Sequence, residues 1–529
     1  MKTLTQYLPL LFLISLAFVL RLPLLTQSFW LDEAAQALQS ARPWSEQLNI
    51  PYDFQPPLLH VLTHFMLKVS PMEWWLRMTS VTAGVVSVAF TYLMGKKFLS
   101  EKMSIVAGAL MATNSLHIYF SQELRSYSLA CMFGVMSWYF LLRIVGESRK
   151  VARHSELQRG IWQQLLPFRS TLSRFFGVPQ NDRKSGIDYL MYTLASLGGF
   201  YSMYLYPFLF LAQVIAVIFF YRSFFKQFVV SWFFVMTGFA PWLPKLFEQL
   251  QVSQALRANT QGWEDVVSFD QTKSIPMVMA KFLFGVSDLE VNIFYIGFTL
   301  ILSFIFIQLI RIQQFKIVIS NKKVQLLLVQ FVIPLLFAWI ISFWTPLIQP
   351  KRVLFLLPSF ILLLCLFIHQ AKISVKWKYL IVSIFLFLNL FSLFQYWSDP
   401  KLQREDWRGV ISEINQQFSP SSSVIVFGFD EAFAPWNWYQ HNAFPIIATG
   451  TKTISTISDM EEKMIPSLNY EYVIVFDYLR DLTDPNRRIE QWLNEYGYQD
   501  VGLLERPNIG FIRVFQKGKE ANVAYQIIE

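Results

Sequence analysis

Charge and cysteine are what this sequence has least of. Charged residues fill only 15% of the 529 positions, against about a quarter in ordinary soluble domains, which excludes a plain soluble fold. The 54% hydrophobic content equally excludes a disordered chain. The two cysteines, Cys131 and Cys365, both fall inside long apolar stretches, so neither a disulfide framework nor a CxxC metal site is suggested. Also missing are a GxxxxGK[ST] phosphate loop, a GxGxxG after a strand and a GxSxG elbow, which removes the common nucleotide-binding and serine-hydrolase readings. Nothing in the sequence requires a cofactor, although a divalent metal remains admissible. There is no repeat of fixed period and no low-complexity tract.

What the sequence has instead is apolar runs near the ~20 residues that cross a bilayer. About eleven recur, over 7–26, 75–95, 103–120, 126–146, 187–205, 207–221, 227–243, 291–310, 324–344, 353–370 and 379–396. The first lacks a small-x-small cleavage site and reads as an uncleaved helix. The charges are split: residues 1–396 hold 33 Lys and Arg against 17 Asp and Glu, whereas residues 397–529 hold 12 against 19. The basic residues lie beside apolar spans, which argues against a nucleic-acid partner and for contact with membrane lipid. Lys96, Lys97, Lys102, Arg149 through Lys184, Lys322, Lys323, Lys372 and Lys376 collect on one set of loops, which places the N-terminus in the cytoplasm by the positive-inside rule. An odd number of crossings then puts the tail outside. The expectation is a multi-pass α-helical protein of the plasma (cytoplasmic) membrane over 1–396, with outside loops 27–74 and 244–290 and a basic cytoplasmic loop 147–185. After Trp397 the pattern changes to strand-like runs (422–428, 471–478, 509–516) alternating with helical ones (404–418, 484–497), which predicts an extracytoplasmic α/β domain over 397–529.

The first outside loop opens FWLDEAAQALQS, with Asp32 and Glu33 directly after a span. Such acids are costly to desolvate and commonly face a cavity; one of a pair can act as a general base while its neighbour holds a partner, or both can simply favour a helix N-terminus. The loop continues PYDFQPPLLHVLTHFMLKV, in which Pro56 and Pro57 can start a helix whose apolar face (Leu58, Val61, Leu62, Phe65, Met66, Val69) suits a membrane surface. His60 and His64 lie four apart on the other face, at metal-ligand spacing, but without the glutamate of HExxH a solvated polar face is the expected reading. In the turn HIYFSQELRSYSL, Gln122, Glu123, Arg125 and Tyr127 sit where the chain barely leaves the bilayer; a guanidinium there can grip a phosphate by two parallel hydrogen bonds or snorkel in an aromatic belt. Lys351 and Arg352 in TPLIQPKRVLFLLP form a second basic pair, on the outside against the charge trend. The aromatic stretch PWNWYQ (435–440) could stack on sugars, but a packed core is the expected reading.

The order of these elements, an apolar span followed by DE, DxxPPL and then QExRxY in a short turn, resembles the bacterial and archaeal branch of the protein O-mannosyltransferase superfamily of polyprenyl-phosphate-sugar glycosyltransferases. Aminoarabinose transferases of the same C-type (GT-C) membrane fold are similar at greater distance. The likeness is densest over 21–146. It implies Asp32 as catalytic base with Glu33 beside it in the acceptor site, and Asp53, Gln55, Pro56 and Pro57 as the second motif of the loop. Gln122, Arg125 and Tyr127 would lie near the donor phosphate, with Lys351 and Arg352 joining them. Gln55 stands where the eukaryotic enzymes have His, and Val353 where the late loop usually has Tyr. The implied reaction moves a monosaccharide from a polyprenyl-phosphate donor to a hydroxyl of a protein, lipid or envelope glycan by an inverting displacement. Transfer of a whole oligosaccharide and transport of a lipid-linked sugar are the alternatives.

Overall fold

The computed structural model describes residues 7–147, 185–259, 271–286, 321–345, 347–428, 433–450 and 457–518. The expected cytoplasmic loop 147–185, all but its ends, and the expected span 291–310 lie outside these. The chain begins with α1 (Leu8–Val19), α2 (Leu31–Ala41), α3 (Leu58–Leu67), α4 (Glu73–Phe98), α5 (Glu101–Thr113), α6 (Ser115–Ser121) and α7 (Tyr127–Glu147). It continues with α8 (Ser185–Phe200), α9 (Tyr206–Phe220), α10 (Phe225–Phe239), α11 (Leu243–Asn259), α12 (Gln271–Phe284), α13 (Lys322–Ile341), α14 (Leu357–Gln370) and α15 (Val375–Ser398). Among the described residues, five helices are long and apolar enough to cross a membrane, or six if α5 and α6 count as one span bent by 56°. Asn114 makes that bend: its side chain accepts the His117 amide at 3.1 Å and starts a new helix. The expected run 103–120 is therefore interrupted at Asn114, where α5 gives way to α6. The helices pack around one large apolar core, while outward faces such as Phe387, Leu390, Phe391 and Phe394 of α15 stay exposed, as lipid-facing positions do.

Past α15 the chain forms α16 (Trp407–Gln417), β1 (Ser423–Phe427), α17 (Phe433–Tyr439), β2 (Ile446–Ala448), α18 (Ile457–Met464), β3 (Tyr472–Phe476), α19 (Arg480–Thr483), α20 (Arg488–Glu495), β4 (Tyr498–Arg506) and β5 (Gly510–Lys517). The sheet order is β2-β1-β3-β5-β4; β2, β1 and β3 run parallel, and the β4–β5 hairpin closes antiparallel onto β3. Strands β1 and β3, buried on both faces, read as continuous apolar runs, as central parallel strands should. One face of the sheet has its own core around Val424, Val473 and Trp492. The other face shares a core with the first loop, in which Phe29, Leu31, Ala34 and Ala37 pack with Trp407, Phe427, Trp436 and Phe476. The first loop and the sheet domain therefore sit at the same end of the helical bundle. Trp436 and Tyr439 of the 435–440 stretch belong to this core, which leaves them no open ring face for a sugar.

Candidate active site between the first loop and the late basic pair

Helix α2 stands at the centre of this end. Its hydrophobic residues recur on one side, so it buries Leu31, Glu33, Ala34, Gln36 and Ala37. Consecutive residues diverge by about 100° around a helix, and the two adjacent acids consequently part company. Asp32 keeps 35% of its side chain exposed and faces Arg125, with Nη2 of the arginine 3.6 Å from Oδ2. Glu33 is 0% exposed. It receives Arg77 Nε at 2.8 Å and Nη2 at 2.6 Å on its two oxygens, and the Leu124 amide at 2.6 Å. Burial opposes ionisation of Glu33, but the paired Arg77 outweighs it and holds the carboxyl below its ordinary range. Glu33 is thus a sealed ion pair with no face open to an acceptor, in contrast to the expectation.

The second motif of the loop also ends beside Arg125. Gln55 and Pro56 are buried and Pro57 begins α3. The Gln55 amide donates to Asp53 Oδ1 at 3.0 Å, and its carbonyl accepts Ser126 Oγ at 2.8 Å, which ties the loop to the turn that carries Arg125. His60 is wholly buried, with Nε2 2.6 Å from Asp53 Oδ2 and Nδ1 2.8 Å from Gln36 Nε2. The amide of Gln36 can only donate to Nδ1, so Nε2 carries the proton toward Asp53. Burial would raise the Asp53 carboxyl, yet the hydrogen bond from His60, the charge of Arg125 and the hydrogen bond from Gln55 hold it down to about 2. The solvated-face reading of His60 and His64 fails for a simple reason. Helix α3 leaves Phe65 exposed, as a helix at a lipid surface does, and turns its histidines inward to hold the loops. Among the described residues no three His, Cys, Asp or Glu side chains converge on a metal-binding point.

Cations dominate the other wall. Arg125 is raised above its ordinary value: burial works against the charge, but Asp32, Tyr127 and Asp53 more than offset it. Its Nε is buried with no hydrogen-bond partner among the described residues. Tyr127 is buried, and Lys351 Nζ lies 5.9 Å from its ring and 5.8 Å from that of Trp30. Burial pulls the Arg352 guanidinium below its ordinary value, with Tyr127 and Asp32 acting against that shift and Arg125 adding to it. Arg125 and Arg352 thus lie within electrostatic reach of Asp32, and Lys351 stands beside Tyr127 and Trp30, an arrangement suited to a phosphate. Gln122 does not join them. Its amide donates to the carbonyls of Arg21 (2.9 Å) and Pro23, and it accepts Tyr396 Oη at 3.1 Å, so it braces the end of the first helix.

Three supporting residues went unread in the sequence. Arg77 is a charge one turn inside an apolar span, a position that itself signals a buried partner. Arg404 reaches from the sheet domain's leading segment to Glu123 at 3.0 Å and lies 3.7 Å over the Tyr119 ring. Beside it, Glu405 accepts Trp407 Nε1 at 2.6 Å and Tyr478 Oη at 2.9 Å. No local pattern marks the last two, because Glu123, Tyr119 and Tyr478 lie far from them in the chain.

No protein-family model and no curated protein matches the chain. Solved structures do match. ArnT from Cupriavidus metallidurans in the apo state superposes with a TM-score of 0.55 at 8% identity over 98% of this chain and 100% of that one. With undecaprenyl phosphate bound, the score is 0.57 at 8% identity over 97% and 98%. The archaeal oligosaccharyltransferase AglB from Archaeoglobus fulgidus, in complex with an inhibitory peptide and a dolichol-phosphate, gives 0.52 at 11% identity over 99% of this chain and 75% of that one. At such identities the likeness is one of fold, and the chain has the GT-C membrane fold.

Proposed function

We propose that the protein is a membrane glycosyltransferase that moves a monosaccharide from a polyprenyl-phosphate carrier to an acceptor hydroxyl, in a single displacement that inverts the anomeric carbon. The observation that carries this reading is the partly exposed Asp32 carboxylate set against Arg125, whose buried Nε has no hydrogen-bond partner among the described residues, with the Arg352 charge felt by both. Asp32 would take the acceptor proton. Arg125, Lys351 and Arg352 would stabilise the charge that grows on the departing phosphate, which needs no proton near neutral pH and hence no general acid. The weak 3.6 Å pair also suggests an order of events: an incoming phosphate competes for the guanidinium and frees Asp32 to act as base. Asp53, held by His60 and Gln55, would keep Arg125 oriented. The lipid phosphates named in the ArnT and AglB structures support such a donor. Residues 1–396 would form the catalytic membrane domain and 397–529 an extracytoplasmic α/β domain, in the plasma membrane with the N-terminus cytoplasmic.

The test gives purified wild type and Asp32→Asn in lipid a panel of radiolabelled polyprenyl-phosphate sugars, with membrane extract as the source of protein, lipid and glycan acceptors. Wild-type transfer that falls by ~10²–10⁴ in the variant is expected. Equal transfer by both removes Asp32 as base, and transfer only from oligosaccharide-bearing lipids replaces the single-sugar donor.

A further inference from the structure

We infer that Arg404, on the segment that leads into the sheet domain, is a positioning residue for Arg125: it pairs with the buried Glu123 of the Arg125 turn and so keeps that carboxylate off the guanidinium that is to hold the donor phosphate. The inference rests on the proposed phosphate role of Arg125.

The turn after α6 needs such a partner. Its neighbouring residues are tied by hydrogen bonds, Gln122 to the carbonyls of Arg21 and Pro23 and the Leu124 amide to Glu33 Oε1. Between them Glu123 is 0% exposed, and neither of its oxygens has a hydrogen-bond partner among the described residues. A carboxylate buried so bare is costly without a cation close by. Arg125 stands only two residues on, in a turn tight enough for its amide to donate to the Glu123 carbonyl at 2.8 Å. Yet it is Arg404 that pairs, with Nη2 3.0 Å from Glu123 Oε2, the only ion pair of Glu123 among the described residues. Arg125 is left with the weaker 3.6 Å contact to Asp32.

Arg404 is held in this place from several sides. Its guanidinium lies 3.7 Å over the Tyr119 ring and donates to the Tyr119 carbonyl at 3.2 Å, and Tyr119 packs edge-on to Tyr396 at 5.3 Å. From the first loop, Gln27 accepts the Arg404 amide at 3.4 Å and donates to Gln403 Oε1 at 2.8 Å. From the sheet domain, Asn508 in the β4–β5 turn donates to the carbonyls of Gln403 at 3.1 Å and Pro400 at 3.3 Å. The sheet domain thereby sets one cation into the turn of the donor site without itself meeting the donor.

Loss of the Arg404 charge should hand Glu123 to Arg125, and loss of both charges should undo the harm. The experiment uses the full chain in lipid, as wild type, Arg404→Met, Glu123→Gln, the double variant and Arg125→Ala. Binding of undecaprenyl phosphate, the carrier without its sugar, is titrated beside the transfer assay. Arg404→Met should weaken carrier binding and raise donor KM about tenfold with kcat little changed, mid-range for members of one ion-pair network. The double variant should bind the carrier as tightly as Glu123→Gln, because Arg404 has no task once Glu123 is neutral; this comparison stands even if Arg404→Met alone fails to fold. Wild-type binding by Arg404→Met overturns the inference. So does a double variant that binds about tenfold more weakly than Glu123→Gln, since Arg404 would then only hold the fold. Wild-type binding by Arg125→Ala removes the phosphate role of Arg125 and the inference with it, whereas weak binding there beside normal binding by Arg404→Met refutes the inference alone.

Discussion

Replacing Arg77 by Met should destabilise the protein more than any change at the proposed chemistry. Arg77 and Glu33 are both 0% exposed. The guanidinium makes two bonds to Glu33 and three to backbone carbonyls, of Leu25 (2.9 Å), Gln27 (2.6 Å) and Ser28 (3.1 Å), and it lies 5.1 Å from the ring of Phe29. Methionine fills much of the volume but leaves a buried carboxylate unpaired, which costs about 3–5 kcal/mol, and each stranded carbonyl adds about 1 kcal/mol or more. Glu33→Gln should cost only about 1–3 kcal/mol, because the amide oxygen still accepts from Leu124 or Arg77 and the three carbonyls still surround the guanidinium. The double variant should then be more stable than Arg77→Met alone, since it strands no charge. The assay is thermal unfolding in one fixed detergent–lipid mixture, with transfer measured per folded molecule. pH gives an independent check. The folded Glu33 carboxyl lies below its ordinary value, so the pair's contribution should be complete above the ordinary carboxylate range and fade as pH falls through the folded value. A cost below about 1 kcal/mol for Arg77→Met would refute the reasoning. Unchanged stability with abolished turnover in Glu33→Gln would return that acid to the chemistry.

Arg125→Lys keeps a positive charge but loses the planar fork, so the donor KM should rise about tenfold; an unchanged KM would mean that Lys351 and Arg352 hold the phosphate alone. The Glu405 carboxyl is pushed up to about 7, mainly by burial, with Trp407, Tyr478 and Leu31 opposing and the neighbouring Asp32 adding to the shift. A folded value above the ordinary 4.5 means stability that is fully present below about 4.5 and lost as pH rises through about 7, on the order of 3 kcal/mol in all; Glu405→Gln should flatten the pH dependence of unfolding over that window, and parallel curves for the two proteins would count against it.

The membrane part was legible because a bilayer demands long apolar runs: the expected 75–95 and 379–396 meet Glu73–Phe98 and Val375–Ser398. The break at Asn114 was not, since it depends on one side chain choosing the His117 amide over solvent. In the sheet domain, the buried runs of β1 and β3 announced themselves, whereas β2 is three residues long and β4, at an edge, shows no regular alternation, too little pattern to separate from loop. Site residues were legible to the extent that their chemistry is local. Asp32, Arg125 and Tyr127 stand in compact motifs. What Glu33, Gln122 and His60 do depends on Arg77, on the Arg21 and Pro23 carbonyls, and on Asp53 and Gln36, and an acid or amide facing a pocket looks in sequence like one facing a partner.

The parting of Asp32 and Glu33 shows how one short helix can present a single carboxylate. Glu33 points down onto Arg77. Gln36, three residues on and buried on the same side of the helix, donates to His60, whose other nitrogen holds Asp53. Just before the helix, the Phe29 amide donates to Tyr439 Oη of the sheet domain at 2.6 Å and Ser28 Oγ donates to the Glu405 carbonyl at 2.6 Å. Three independent restraints from three parts of the chain therefore converge on one helix of eleven residues, and none of them engages the Asp32 carboxylate, whose only ion-pair partner among the described residues is Arg125 at 3.6 Å. A base that must meet an acceptor hydroxyl and a phosphate at a fixed separation gains from such bracing, because the helix cannot shift to follow the substrate and the geometry is set before the substrate arrives. The costly buried charges beneath α2 are then what hold the one exposed carboxylate in place.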